Sequence, residues 1–337
     1  MQRILVLEEL VGIDPEVISS QAFTGGEGDE IEYLLEPQKC SPEALIERLN
    51  RDPLITGLIC PLSQSVPAAV FAQVPQLKVV ANIAVGLDNI DLEAARRHQV
   101  RVVHTPGVLT ESTADLAWAL LLGGARRLIE GDRLARSGDW GGWEIDQLLG
   151  GSVGGRGPGE GGGRSLGIIG LGSIGEAIAR RAHGFKLDVS YYSRTRKREL
   201  EIQEGWTYMA LDDLIARVDY LVLSAPLTDQ TYHLMNRSRL MAMRPHAYLI
   251  NIGRGPLIDE EALIDVLEGG HLSGVGLDVY EQEPHIPARL RALPQATLCP
   301  HLGSATWETR REMCRLVVLG AHAVLSARAH PDVCFAI

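Results

Sequence analysis

The sequence predicts an α/β protein of two Rossmann-like domains, each a doubly wound parallel sheet, with a cleft between them. Three observations predict it. Short apolar runs alternate with helical patterns along most of the chain, as parallel strands with crossover helices require. The alternation comes in two series, and 337 residues are too many for one ordinary domain. The second series alone holds six strand candidates with helices between them, enough for a complete doubly wound sheet.

In the first series the strands are ILVLEE (4–9), GLICPL (57–62), KVVANIAV (78–85) and VRVVHTP (100–106). Helical patterns such as SPEALIERL and LEAARRHQ separate them. The second series runs LGIIG, DVSYYS, DYLVLSAP, AYLINIG, GVGLDVY and ATLCPHLG. Its helices are SIGEAIARRAHGF, LDDLIARV and EEALIDVLEGG. Between the series, STADLAWALLLGGARRLIEGDRLARSGDW carries one helical apolar stripe through Leu116, Ala117, Leu120 and Leu121. That stripe fits either a core helix joining the domains or a subunit interface.

Composition narrows the class. An apolar fraction of 45% and a charged fraction of 22% are those of a soluble globular enzyme. A net charge of −11 lacks the basic stripe that would neutralise nucleic-acid phosphates. The five cysteines are scattered and never form CxxC, which fits free thiols in a reducing compartment and no metal site. The opening MQRILVLEELVGIDP reads as a strand and not a signal peptide. The longest apolar candidate, ADLAWALLLGGARRL, is too short to cross a bilayer. The expectation is a cytoplasmic protein with no nucleic-acid or membrane partner.

The glycines of GSVGGRGPGEGGGRSLGIIGLGSIG (151–175) divide by context. Gly170-Leu171-Gly172-Ser173-Ile174-Gly175 follows an apolar strand run and opens an amphipathic helix, the setting a dinucleotide site requires. Gly170 permits the tight turn, Gly172 lets the backbone approach a pyrophosphate, and Gly175 lets helix and strand pack closely. The helix N-terminus then offers unpaired N–H groups to phosphate. The glycines of 150–163 have no such context and read as a flexible connection. GGSVG matches a hydrolase nucleophile elbow around Ser152, but GRGPGEGGG cannot form the helix that elbow needs.

The nucleotide follows from the end of the second strand of this series. An NAD site carries Asp or Glu about 20 residues past the turn to hold the ribose hydroxyls. Here stand Ser193, Arg194 and Thr195, with Arg196 and Lys197 behind. Hydroxyls and a guanidinium can bind a 2′-phosphate that a carboxylate would repel. NADP(H) is therefore expected over NAD(H); the plainer alternative is a solvated basic turn.

Three segments at the ends of late strands carry unusual chemistry: NIGRGPLIDEEAL (251–263), GLDVYEQEP (276–284) and PHLGSAT (300–306). They offer Arg254, Glu283 and His301. Reduction of a carbonyl needs a proton donor for the developing alkoxide, and histidine suits neutral pH. A carboxylate partner favours the imidazolium, and an arginine can grip a substrate carboxylate with its planar fork. Singly, each residue also fits a duller role as surface arginine, turn glutamate or structural histidine. Spacing alone leaves both readings open.

Together with VANIAVGLDNIDLEAA, HTPGVLTESTADLAWALLL, LGIIGLGSIGEAIARRA and YYSRTRK, these segments resemble the D-2-hydroxyacid dehydrogenase family, especially its NADPH-preferring glyoxylate/hydroxypyruvate reductases. The resemblance spans most of the chain. It implies that Arg254 binds substrate, His301 is the acid/base and Glu283 supports it. It implies that the N–H groups around Val85 and Gly86 hold the substrate carboxylate and that Leu62 lines the pocket. On the cofactor side it implies Gly172, Ser173 and Ile174 at the pyrophosphate and Ser193, Arg194 and Thr195 at the 2′-phosphate. Pro226, Ile252, Gly253, Asp278, His301 and Gly303 complete the implied cofactor contacts, the last four residues with Ile252 lying around the nicotinamide.

The same resemblance implies a discontinuous substrate domain, 1–106 and 304–337, and a nucleotide domain, 107–303. It makes the helix near 112–136 a homodimer interface and lets Trp143 reach the partner's site. Two departures stand out: EIDQLLGGSVGGRGPGEGGG is longer and poorer in aromatics and prolines than the family segment, and the closing segment, which ends in HPDVCFAI (330–337), is short. The leading expectation is NADPH-dependent reduction of glyoxylate to glycolate and hydroxypyruvate to D-glycerate. The alternatives are a bulkier 2-keto acid such as 2-ketogluconate, decided around Leu62, Trp143 and His285, or a nicotinamide-sensing scaffold without turnover.

Overall fold

The computed structural model describes residues 1–22, 31–154 and 164–337. The chain divides into two compact units, Met1–Leu109 with Ala305–Ile337, and Thr110–Ser304. In chain order the strands are β1 (Gln2–Val6), β2 (Ile31–Leu35), β3 (Ile55–Pro61), β4 (Val79–Ile83), β5 (Arg101–His104), β6 (Ser165–Ile169), β7 (Asp188–Tyr192), β8 (Thr207–Tyr208), β9 (Tyr220–Leu223), β10 (Tyr248–Asn251), β11 (Gly274–Leu277), β12 (Ala296–Leu298) and β13 (Cys334–Phe335). Both units are parallel-sheet α/β folds, as the alternation of elements predicts.

The first unit is a six-stranded sheet in the order β13-β5-β4-β3-β1-β2, with β13 antiparallel to β5. Every residue of β4 is buried, because helices cover both faces of the sheet. Leu45, Leu49, Val70 and Phe71 pack one face; Met313, Val317, Val318 and Ala321 pack the other. The second set lies on the helix Trp307–Leu325, capped by Thr306 Oγ1, which accepts from Thr309 N–H at 3.2 Å. Gly320 lets that helix lie against β5, since a Cβ there would come within 2.4 Å of Val103.

The second unit is a seven-stranded parallel sheet, β12-β11-β10-β9-β6-β7-β8. The chain runs outward from β6 to β8 and then returns to the other side of β6 at β9. That reversal makes a topological switch point between β6 and β9, where open α/β sheets bind ligands.

The sheets contain elements that the sequence patterns do not announce. Strand β2 is an edge strand with a mixed burial pattern, and β8 and β13 are two residues each. Helices of six residues, such as Ala68–Gln73 and Arg237–Ala242, are too short to show a period. The helix Trp307–Leu325 contains the β-branched run LVVLG, where tertiary packing overrides propensity. ATLCPHLG is a strand only over Ala296–Leu298; the remainder is the loop that carries His301.

The single helix expected near 112–136 is two helices, Thr110–Ala125 and Leu128–Ser137. Arg127 breaks it with φ 50°, its guanidinium held by both oxygens of Glu130 at 2.7 and 2.8 Å. Of the apolar stripe on the first helix, Ala117, Leu120 and Leu121 are buried in the core and Leu116 packs against it half-buried; Trp118 is buried beside them. Trp118 stacks on Phe185 at 4.4 Å and donates to the Ile178 carbonyl at 3.1 Å.

The described start of the glycine stretch is attached to the unit. Gly151 N–H donates to the Ala125 carbonyl at 2.8 Å, Val153 is buried, and Tyr220 Oη donates to the Ser152 carbonyl at 3.2 Å. These contacts tie 151–153 to the unit; 155–163 lie outside the described residues. No strand leads directly into Ser152, which follows the helix Leu128–Ser137 through an irregular segment, so the strand that a nucleophile elbow needs is not there. No described helix is long and apolar enough to cross a membrane.

Candidate active site

The glycine turn joins β6 to the helix Ser173–Phe185 beside the switch point. Gly170 has φ +99°, and a Cβ there would meet the Ala225 backbone at 2.7 Å, so only glycine fits. A Cβ at Gly175 would sit 2.2 Å from the Gly170 carbonyl, which presses the helix start onto the turn. Ser224 Oγ donates to that carbonyl at 2.6 Å and fixes the turn to the end of β9. Gly172 is different: a Cβ there would meet nothing within 4 Å. It caps the helix with no side-chain hydrogen bond, which leaves the first N–H groups, those of Ser173 and Ile174 among them, without a capping side chain. A pyrophosphate fits that place. The Leu171 side chain is buried in the core, which leaves only its backbone for a ligand.

Beyond β7, Ser193 Oγ donates to the Thr195 carbonyl at 2.6 Å and shapes a turn that exposes Arg194 and Thr195. The other cations of this turn are engaged. Arg196 makes a two-pronged pair with Glu201 at 2.7 and 2.8 Å, and Lys197 pairs with Glu176 at 3.0 Å. Arg196 and Tyr191 together hold the Glu201 carboxyl at about 2. Arg194 has no carboxylate partner among the described residues. Past β9, Pro226 is exposed and its carbonyl accepts from Thr231 Oγ1 at 2.8 Å.

The acid/base candidates converge at the ends of β10, β11 and β12. After β10, Ile252 is buried and Gly253 packs where a Cβ would strike the Ala225 carbonyl at 2.9 Å. Asn251 clasps this loop: its Nδ2 donates to the Arg254 carbonyl at 2.8 Å and its Oδ1 accepts from Gly253 N–H at 3.1 Å. Arg254 Nη1 donates to the Gly253 carbonyl at 2.9 Å. Gly255 brings the loop against the next one, since a Cβ there would lie 1.8 Å from the Tyr280 carbonyl. Two neighbours that sequence reasoning missed join the same segments. His233 Nε2 bonds Glu281 Oε1 at 2.8 Å, while the His233 backbone N–H donates to the Pro256 carbonyl at 2.8 Å.

After β11, Glu283 Oε1 accepts from Tyr280 N–H at 3.1 Å, and Glu283 Oε2 lies 2.9 Å from His301 Nδ1. Burial works to raise the Glu283 carboxyl, but its bond to His301, the His301 charge, the Tyr280 N–H and Arg254 outweigh it. The carboxyl is held below its ordinary value and is charged at neutral pH.

His301 itself has φ 57°, a conformation that needs outside support in a residue with a Cβ. Asp278 provides it. The buried Asp278 carboxylate accepts from Leu302 N–H at 2.6 Å and from Gly303 N–H at 2.8 Å, and its carbonyl accepts from His301 N–H at 2.9 Å. Burial pushes the Asp278 carboxyl up, against the two N–H bonds. Thr113 Oγ1 closes the loop by donating to the Gly303 carbonyl at 3.1 Å. Thr113 is a further residue that the motif HTPGVLTESTADLAWALLL contains but does not single out. The structure therefore places Asp278 and Gly303 as supports of the His301 loop.

In the first unit, Leu62 is half-buried just past β3, and Val85 and Gly86 lie just past β4. Their carbonyls are tied inward: His104 Nδ1 to Val85 O at 3.1 Å and Asn82 Nδ2 to Gly86 O at 2.9 Å. Trp143 is 77% exposed in the arm after the helix Leu128–Ser137.

A glycine turn at the switch point, an uncapped helix N-terminus and a histidine–carboxylate pair at neighbouring strand ends are the features of a dinucleotide-binding α/β fold. Comparison with known proteins gives the family. Residues 118–303 match the NAD-binding domain of D-isomer-specific 2-hydroxyacid dehydrogenases. The chain is 44% identical over 306 residues to a glyoxylate reductase of Thermococcus onnurineus, covering 90% of this chain and 88% of that one. A solved protein of Thermus thermophilus is 40% identical with a TM-score of 0.86, covering 98% of this chain and 99% of that one. An NADPH-dependent glyoxylate/hydroxypyruvate reductase of Sinorhizobium meliloti, solved with NADP and malonate, is 33% identical with a TM-score of 0.79, covering 96% of this chain and 93% of that one. The chain belongs to the D-isomer-specific 2-hydroxyacid dehydrogenase family, and the resemblance seen in its motifs is borne out.

Proposed function

We propose that the protein reduces small 2-keto acids with NADPH, glyoxylate to glycolate and hydroxypyruvate to D-glycerate. The observation that carries this reading is the 2.9 Å pair between His301 Nδ1 and a Glu283 carboxylate that is charged at neutral pH. When bound, the reduced nicotinamide supplies the hydride that reaches the carbonyl carbon. With Nδ1 engaged by Glu283, His301 delivers its proton to the carbonyl oxygen from Nε2. Glu283 stabilises the imidazolium before that transfer. Arg254 grips the substrate carboxylate and polarises the adjacent carbonyl. The N–H groups of Val85 and Gly86 hold the same carboxylate, and Leu62 limits the space beside it.

NADPH over NADH is supported by the engaged state of Arg196 and Lys197, which leaves Arg194 to meet a 2′-phosphate, with Ser193 and Thr195 beside it. Residues Gly172, Ser173 and Ile174 take the pyrophosphate; Pro226, Ile252, Gly253, Asp278 and Gly303 surround the remainder. The unit Thr110–Ser304 is then the nucleotide domain and the other unit the substrate domain. A homodimer is proposed as well, formed through the apolar surface of Leu128, Ile129, Trp140, Trp143, Ile145 and Leu149, all exposed here. The test is turnover of glyoxylate, hydroxypyruvate and 2-ketogluconate, each with NADPH and NADH, followed by nicotinamide absorbance. Fast turnover of the two small acids with NADPH is expected. Turnover of 2-ketogluconate alone would move the substrate to the bulkier acids, and binding of NADPH without any turnover would make the protein a sensor.

A further inference from the structure

The loop after β4 is held by its carbonyls. Thr105 N–H donates to Ala84 O at 3.0 Å, His104 Nδ1 lies 3.1 Å from Val85 O, and Asn82 Nδ2 lies 2.9 Å from Gly86 O. A trans peptide is planar, so a carbonyl and the N–H that follows it point in opposite directions. Drawing Ala84 O and Val85 O inward therefore turns the N–H groups of Val85 and Gly86 outward. Neither has an acceptor among the described residues. Successive outward N–H groups make an anion-binding concavity. The inner side is braced further. Asn82 and Asn89 exchange side-chain bonds at 3.1 and 3.2 Å, and Asn89 Nδ2 donates to the carbonyl of the buried Gln64 at 2.9 Å.

A carbonyl oxygen can only accept, so His104 Nδ1 carries the proton of its bond to Val85 O. That bond lands on the very peptide whose N–H belongs to Gly86. Hydrogen bonding to a carbonyl polarises its peptide and strengthens the N–H at the other end. Asn82, by contrast, acts on the following peptide, Gly86–Leu87.

We propose that His104 is a positioning residue for the substrate carboxylate, holding and polarising the Val85–Gly86 peptide so that Gly86 N–H is aimed and strengthened as a donor. The proposal rests on the reading of Val85 and Gly86 as carboxylate ligands. His104 touches neither substrate nor cofactor; it acts through that peptide. A carboxylate is bound alike in ground and transition states, so loss of the bond falls on KM and spares kcat.

The experiment compares His104→Leu, which removes the donor, with His104→Asn, whose amide Nδ2 can take the place of Nδ1. His104→Ser serves as a second variant without a donor at that reach. Steady-state reduction of glyoxylate at saturating NADPH is measured, with melting curves and the NADPH Kd of each variant. The expected result is a KM for glyoxylate raised about tenfold in His104→Leu and His104→Ser. Their kcat and NADPH Kd stay near wild type, and His104→Asn restores the KM. An unchanged KM in the donorless variants, a loss confined to kcat, or an Asn variant as impaired as the Leu variant overturns the proposal. A wild-type protein that turns over no 2-keto acid overturns the functional reading, and this proposal with it; turnover by the wild type with no difference among the variants overturns the proposal alone.

Discussion

Glu283 shows how a single residue is tuned by its neighbours. Its carboxyl is lowered although burial opposes it, because His301, Tyr280 N–H and Arg254 all favour the charged form. A lowered carboxyl contributes its pairing fully above the ordinary glutamate range and loses it only as the pH falls through the lowered value. The acid limb of kcat/KM that Glu283 governs is therefore expected below the ordinary glutamate range, and Glu283→Gln should abolish that limb. An acid limb above that range, unchanged in Glu283→Gln, would assign it elsewhere. Arg194 carries the cofactor preference at the same scale. Arg194→Asp should lower the ratio of kcat/KM for NADPH over NADH by about 10- to 100-fold, the worth of one charged hydrogen-bonding pair. An unchanged ratio would remove the 2′-phosphate reading. Both residues were visible in the sequence because their types and places at strand ends carry chemistry. Asp278 was visible too, through the cofactor contact that the resemblance implies; its hold on Leu302 and Gly303 N–H is a matter of loop geometry that no spacing displays.

Between elements, close backbone approach decides the site. Gly255 lets the Arg254 loop lie against the Glu283 loop, with a Cβ position 1.8 Å from the Tyr280 carbonyl. Gly255→Ala must part the two loops, and displacement by about an ångström is expected to lower kcat/KM by about 10²-fold with NADPH binding retained. Thr113→Val removes the bond to the Gly303 carbonyl and should cost about 1 kcal/mol in denaturant melts. The strands β4, β9 and β10 were legible because burial on both faces makes them continuous apolar runs. The edge strands β2, β8 and β13 lack that burial and stayed hidden. The break at Arg127 was hidden for another reason: the apolar period runs through GGARRLIE without a proline, and the left-handed residue is an arginine.

For the molecule as a whole, two α/β units and a family assignment follow from alternation and motifs together, because each motif sits at a strand end that the alternation had already located. The homodimer is a proposal, and the surface proposed for it differs from the stripe of the helix that the resemblance implied. The apolar stripe of Thr110–Ala125 is spent on its own unit, and the exposed apolar side chains come later, with Trp143 and Ile145 at 77% and 78% exposure. Replacing Trp140, Trp143 and Ile145 by serine should yield monomers in sedimentation velocity; an unchanged sedimentation coefficient in a dimeric protein would place the interface elsewhere. The central claim is that His301 is the proton donor of an NADPH-linked reduction. It is tested most directly by measuring single-turnover reduction of glyoxylate by His301→Ala together with its NADPH Kd. A rate lowered by about 10²- to 10⁴-fold with the Kd near wild type is the predicted result. Reduction at close to the wild-type rate, with NADPH bound as before, would contradict it.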